Sequence, residues 1–551
     1  MEGKNKIELL NNFLAKENLD CLLIPMRDAF NSEYLPPYFN RIRAVSNFTG
    51  SNGYIVFLKN QKSVFFTDGR YTLQAKQEID LNQFSIYDFE ELTPLAFLKG
   101  KNLGVGFDGN LHTIDEVRNY QRQGINLKEV GSGLEKIFSV AQPKPKKIFE
   151  IPLREAGLSA TEKFKQILAE LGQDYLLLND PTSICWLLNI RGADLEHTPI
   201  VFSYALVSKI KGLEVFLDIK KLEIGKEYNF EINPIQEFEQ YLPKLKSVRL
   251  NPKTTSFNHY NLISGEKFEA SDIVTELKSI KNASEIKNIK KAHIRDAKAF
   301  KLFFDWLSEV ESTSEIEVAE KLLEFRKKDK NFVGPSFDTI AGFNENGAIV
   351  HYHATPKTNK KISGNGLLLL DSGGQYKYGT TDVTRTIAIG RPTAEQKEHY
   401  TLVLKAHIAL LHANFPQGTT GASLDGIVRK FFWDRGLDFN HGTGHGVGYF
   451  LNVHEGPASI SKRGFAEIKE GMVLSNEPGL YFENKYGIRI ENLVQVVKSY
   501  RKGLLTFRNL TIVPYEEKLI NFDSLNMKEM SYLMHYHRSF NYHTTGNSDG
   551  A

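Results

Sequence analysis

A chain of 551 residues is long enough for three or four domains of roughly 100–200 residues each. With 41% hydrophobic and 25% charged residues it suits a folded chain with real cores, and a formal net charge of only +3 gives no reason to expect a nucleic-acid or membrane partner. The two cysteines, Cys21 and Cys185, both sit inside apolar runs, which reads as buried reduced thiols in a cytoplasmic protein.

The opening MEGKNKIELLNNFLAKENLD has a polar start and then an amphipathic helix pattern, without the apolar core and cleavage site of a secretory signal. No apolar run approaches the ~18–20 residues needed to span a bilayer. CLLIP, GYIVFL and SVFFTDG read as buried strands, and TLQAKQEID as a short helix. PKPKKIFEIP, over 143–152, carries three prolines and three lysines and reads as a linker, because proline lacks a backbone donor and resists helix continuation. A second α/β segment follows. ATEKFKQILAELG is helical, DYLLLND is a strand ending in turn residues, TSICWLLNIRG is apolar, and PIVFSYALVS and GLEVFLD are strands. From about Asn282 to Lys328 the pattern is strongly helical, with Asn282 or Ser284 as the N-cap. The expected division is therefore 1–143, 144–284 and 285–551.

After Val333 strands, glycine turns and histidines dominate, and no short-period repeat is visible. GLLLLDSGGQYKYGTTDVTRTIAIG reads as a hairpin with Asp371 ending one strand and Asp382 beginning the next. Aspartate is a poor strand residue, so its presence at both inner ends calls for a reason. The design recurs in GMVLSNEPGLYFENKYGIRIENLVQVV. Glu477 follows one apolar run, and alternation along IRIENLVQV puts Arg489, Glu491 and Leu493 on one face. Between the two lies NHGTGHGVGYFLNVHEGP, with His441, His445 and His454.

Four carboxylates and an imidazole form a hard, oxygen-rich set suited to manganese, cobalt, iron or zinc in a two-metal site. Two divalent ions would balance the charge of about −4, and without them clustered acids repel and one is driven protonated. His399, His407 and His412 fall on an expected surface helix and are read as bland. GTGHGVG lacks the phosphate-loop pattern, and no H-E-x-x-H helix is present.

Taken together, LLLLDSGGQYKYGTTDVTRT, HGTGHGVGYFLNVHEGP, LSNEPGLYFENKYGIRIENL and GAIVHYHA, with NFTGSNGYIVFLKN, FFTDGRYTLQA and ICWLLNIRGADL further upstream, resemble the Xaa-Pro aminopeptidases of the pita-bread metallopeptidase superfamily. The likeness covers about Asp20 to His537 and is nearest the long, three-domain cytosolic type. It implies an α/β (α+β) chain with two creatinase-type N-terminal α/β domains, then a pita-bread catalytic domain with a C-terminal extension. It also implies metal-dependent removal of the residue preceding a proline, through a hydroxide held between two divalent ions, with manganese ahead of cobalt or zinc.

Asp371, Asp382, His445, Glu477 and Glu491 match the five metal ligands, and all five are intact, unlike in metal-free relatives such as creatinase. Glu477 is implied as proton shuttle. His351, His441 and His454 match histidines of the substrate site that stabilise the oxyanion or relay a proton. Arg489 matches a position near the metals, and Arg70 a first-domain peptide contact. Asn31 in DAFNSEYL stands where the pattern has histidine. The expected partners are peptides with proline second and a second copy of the chain. A prolidase restricted to dipeptides, a methionine aminopeptidase and a silent peptidase-like binding module are the rival readings. A prolidase would carry one N-terminal domain, a methionine aminopeptidase would lack the ~280-residue N-terminal region, and a silent module would have lost ligands.

Overall fold

The computed structural model of the chain describes residues 2–69, 71–140, 143–223, 228 and 230–545. Arg70 lies outside the described residues. The chain divides into two compact units. One is built from Met1–Ile151, Leu158–Glu196 and Ile200–Val274, the other from Pro152–Gly157, His197–Pro199 and Thr275–Ala551.

In the first unit, apolar and β-branched runs make β1 (Cys21–Pro25), β2 (Tyr54–Leu58), β3 (Ser63–Thr67) and β4 (Phe84–Asp88), followed by β5 (Gly104–Phe107) and β6 (Asn126–Glu129). They lie side by side as β4-β3-β2-β1-β5-β6. A second set follows: β7 (Tyr175–Leu178), β8 (Ser203–Ser208), β9 (Gly212–Leu217), β10 (Glu231–Pro234), β11 (Ser247–Leu250) and β12 (Glu266–Glu269). Its order is β10-β9-β8-β7-β11-β12, the same path displaced by one sheet. The directions repeat too. β1 and β7 are each antiparallel to the strand that follows and parallel to the fifth of their set. The two halves of this unit are thus a topological duplication. The apolar segment TSICWLLNIRG contains the helix Pro181–Leu188, whose N-cap Asp180 accepts from the Thr182 and Ser183 amides. Asn31 adopts a φ of 59°, a left-handed conformation that asparagine tolerates better than most side chains.

The second unit opens with α1 (Ala283–Glu309) and α2 (Glu315–Arg326). Asn282 is the N-cap of α1, and it forms a reciprocal capping box with Glu285. Next come β13 (Phe332–Pro335), β14 (Ile340–Phe343), β15 (Gly366–Ser372), β16 (Gly374–Tyr376), β17 (Gly379–Thr380) and β18 (Val383–Ile389). After α3 (Ala394–Leu411), β19 (Phe415–Pro416) and α4 (Gly421–Trp433) come β20 (Gly444–Gly446), β21 (Glu455–Ile460) and β22 (Val473–Asn476). β23 (Gly479–Phe482), β24 (Tyr486–Arg489), β25 (Asn492–Lys498), β26 (Leu504–Asn509) and α5 (Met527–Thr545) complete the chain. Six of these strands form one sheet in the order β19-β26-β25-β22-β20-β21, and β14-β15-β18 form another.

α3 is a core helix, not a surface one. His407 is fully buried, with Nδ1 3.1 Å from the Asn476 carbonyl and Nε2 3.1 Å from the Tyr515 hydroxyl. His399 is half-buried and stacks on Phe482, while His412 is exposed. α5 turns Leu533, Tyr536 and Phe540 inward, so it covers this unit's own core.

Candidate metal centre

The five acid and imidazole positions sit where regular pairing breaks. Asp371 lies one residue from the end of β15, opposite Thr384 of β18. Asp382 precedes β18, two residues before Thr384, which puts it diagonal to Asp371 on the same face. The connection between them is not a bare loop. β16 and β17 fold back there as a second small hairpin. Glu477 lies between β22 and β23. The run containing Glu491 is not one strand either, because β24 ends at Arg489 and β25 begins at Asn492 in a different sheet. His445 sits on β20 at a register shift against β21. Such irregularities re-aim side chains, and here they bring Asp382, His445 and Glu491 together with Glu477 beside His445.

A ligand atom each from Asp382, His445 and Glu491 lies within 4.8 Å of the others. His445 Nε2 is 3.5 Å from Asp382 and 3.4 Å from Glu477. Asp371 joins through Arg489, whose Nη2 donates to its Oδ2 at 2.7 Å. Glu491 accepts from the Thr384 hydroxyl at 2.7 Å, and Glu477 from the Ser475 hydroxyl at 3.0 Å. Burial pushes the Asp371 carboxyl up to about 6 against the pull of Arg489. Burial, and then the charges of Asp382, Glu477 and Asp371, drive Glu491 well above the carboxylate range. Burial would lower His445, but bonding to Asp382 and the charge of Glu477 outweigh it and hold the imidazole at about 9.

Asp371 Oδ1, Asp382 Oδ1 and Glu491 Oε1 are buried with no hydrogen-bond donor. Unpaired buried acceptors are costly, and their presence on three of these acids fits a cation that the chain does not itself provide. The donor set is the hard oxygen-and-imidazole kind that divalent ions accept.

The surroundings hold this cluster rigidly. Behind the Asp371–Asp382 segment, Asp296 of α1 and Arg326 of α2 form a buried pair at 2.8 Å. Arg326 reaches Ser372 and Gly373, and Asp296 accepts from Tyr376 and Thr381. On the other side, Arg385 donates to the Glu491 carbonyl at 2.6 Å and to Asn492 at 2.8 Å, and Tyr536 of α5 lies 3.0 Å away.

Of the predicted histidines, His454 stands edge-to-face on His445 at 4.3 Å. His441 Nε2 is 2.7 Å from the Tyr481 hydroxyl. His351 is half-buried, next to Val350, whose carbonyl is 3.4 Å from Arg489 Nη2. Tyr481 was missed by the sequence reading. It receives Arg489 Nη1 at 2.6 Å, completing the series His441–Tyr481–Arg489–Asp371. Its signal lay in the register of GLYFENKYGIR: Gly479 pairs with Arg489, so Tyr481, two residues on, shares the face of Arg489.

Comparison with known proteins gives the family. Residues 6–137 and 140–285 each match a creatinase/prolidase N-terminal domain, 287–498 match metallopeptidase family M24, and 503–544 match the C-terminal region of that peptidase. A Xaa-Pro aminopeptidase 1 from Dictyostelium discoideum is 36% identical, covering 97% of this chain and 92% of its own length. The chain belongs to the Xaa-Pro aminopeptidase family. A solved X-prolyl aminopeptidase from Caenorhabditis elegans, described as a cytosolic enzyme with a di-nuclear active site, superimposes with a TM-score of 0.93 at 31% identity over 99% of this chain and 96% of that one. A Xaa-Pro dipeptidase from Bacillus anthracis, 29% identical, reaches a TM-score of 0.54 and covers 65% of this chain and 99% of its own. The expected fold class therefore holds, and the protein is a metallopeptidase of this family.

Proposed function

We propose that the protein removes the N-terminal residue from peptides whose second residue is proline, using two divalent ions held by Asp371, Asp382, His445, Glu477 and Glu491. The observation carrying this reading is the clustering of Asp382, His445 and Glu491, with donor-less buried oxygens on Asp371, Asp382 and Glu491, in a chain that aligns over 97% of its length with a Xaa-Pro aminopeptidase. Asp382, His445 and Glu491 would form the heart of that set, with Glu477 beside His445 and Asp371 held by Arg489. Manganese is the proposed native metal. When bound, such a pair polarises the scissile carbonyl and makes water acidic enough to attack it at neutral pH.

The chain's own groups supply the rest. Glu477 and His445 are the more open members of the set, their side chains 18% and 19% exposed against 5% for Asp382, so Glu477 is placed to take a proton from incoming water. His454 and His351 are proposed to donate to the developing oxyanion. The leaving proline nitrogen must be protonated to depart, and His441 is proposed to relay that proton. Its Nδ1 faces the Gly442 carbonyl at 2.7 Å, which can only accept, so Nδ1 carries a proton and Nε2 exchanges with the Tyr481 hydroxyl. Arg489 orients both Tyr481 and Asp371.

The three-domain division at 143/144 and 284/285, a cytoplasmic location and a homodimer complete the proposal. The family-model matches support the first, the cytosolic relative supports the second, and exposed large apolar side chains such as Trp433 and Phe465 support the last. The decisive assay supplies metal-free protein with single metals and offers Arg-Pro-Pro peptides, Gly-Pro and Met-Ala peptides, read by mass spectrometry. Release of arginine from the Arg-Pro-Pro peptides is expected. Cleavage confined to Gly-Pro would make it a prolidase, Met-Ala turnover a methionine aminopeptidase, and no turnover with any metal a silent binding module.

A further inference from the structure

A cavity of about 740 Å³ opens in the second unit, away from the metal centre, between α1 and the β25–β26 pair. That size is ordinary for small-molecule sites. Its α1 wall is made by Ile286, Lys287, Lys290, Lys291 and Ile294. Their spacing is that of one helical face, the stripe that usually carries apolar residues toward a sheet. Here three of the five are lysines.

Opposite stand Gln495 of β25 and Arg508 of β26, directly paired across the ladder. Lys281 also lines the cavity, but its charge is taken up by Glu455. The acid at the rim, Glu470, is engaged by Lys498 at 3.7 Å. Among the described residues, Lys287, Lys290, Lys291 and Arg508 have no carboxylate partner. Burial, and then the charge of Arg508, lower the Lys290 ammonium below its ordinary range, so these cations crowd one another. The side-chain oxygen of Gln495 is buried with no hydrogen-bond partner, and an amide turned over presents NH₂ at the same place.

Four uncompensated cations and an unsatisfied amide in one concavity call for a compact anion of several charges. We propose that this groove is a binding site for a small polyphosphate anion, its phosphates held by Lys287, Lys290, Lys291 and Arg508 and one oxygen by the Gln495 amide. Arginine and lysine both suit phosphate, the former as a fork and the latter as a point charge. An acidic peptide fits less well, because its carboxylates are spread along a chain while the cations here converge on one cavity.

The test is calorimetric titration of the metal-loaded protein with inorganic tripolyphosphate, a nucleoside triphosphate and inositol hexakisphosphate. K290Q, R508Q and the double variant are measured alongside, with peptide hydrolysis as the check on folding and metal content. One-to-one binding is expected for at least one probe. It should be about tenfold weaker in each single variant, the scale of one charged hydrogen bond, and weaker again in the double, with hydrolysis unchanged. The ranking of the three probes tells whether a nucleoside, an inositol ring or the bare phosphate chain is preferred. Equal affinity in wild type and variants would place the anion at the metals and overturn the proposal. So would the absence of saturable binding by any probe, or tighter binding of a glutamate-rich peptide than of all three.

Discussion

Two buried acids in the second unit, Glu455 and Glu491, meet opposite fates. Glu455 is sandwiched between Lys278, at 3.0 Å, and Lys281, both buried. Burial pushes its carboxyl up, but the two ammonium groups outweigh that and hold it below the ordinary range. Glu491 is as deeply buried and is surrounded by Asp382, Glu477 and Asp371 instead. A structural acid brings its counter-charge in the same chain. An acid meant for an external cation is kept short of one, and its repulsion is the price of a ready site.

That contrast can be sharpened or broken by experiment. The largest effect is expected at Glu477: Glu477→Gln should lower turnover by up to about 10⁴-fold in steady-state assays, the upper range for a positioned proton carrier. Near-normal rates would remove its assigned role. Next, Glu455→Ala should leave two buried ammonium groups without the carboxylate they share and cost about 3–5 kcal/mol in urea unfolding of the metal-free protein. Glu491→Gln should act with the opposite sign. Because the native pKa of Glu491 lies above its unfolded value, the charged acid destabilises the fold at pH 8. Removing it should raise the urea midpoint of the metal-free protein at pH 8 and abolish stabilisation by manganese. If both glutamate variants shift stability the same way, the contrast fails.

The smallest effect per step concerns His407, whose pKa burial lowers to about 3. Below about pH 6.5 the unfolded chain takes up a proton that the native imidazole refuses, so stability should fall by about 1.4 kcal/mol per pH unit as pH drops, until pH nears 3. His407→Gln should flatten that slope in a pH series of urea titrations.

The site residues were legible because metal chemistry demands unusual residues in unusual places. Aspartate at the ends of apolar strands and histidines among glycines are visible without a structure. The strand break between Arg489 and Asn492 was not, because alternation continues through it, and only pairing with two different sheets reveals the change. Tyr481 escaped for a related reason, since its role depends on cross-strand register. His407 looked exposed because α3 is nearly uniform in polarity around its axis, while tertiary packing from β22 and Tyr515 buries it. The duplication of the first unit was invisible because strand path and direction are set by burial pattern, which many sequences satisfy.

Tyr536 lies 45 positions after Glu491, yet its hydroxyl is 3.0 Å from the guanidinium that grips the Glu491 carbonyl. During synthesis the ribosome delivers the acids and the imidazole before this tyrosine. The clamp on the Glu491 strand is therefore complete only when a segment made 45 residues after that acid has packed back onto it.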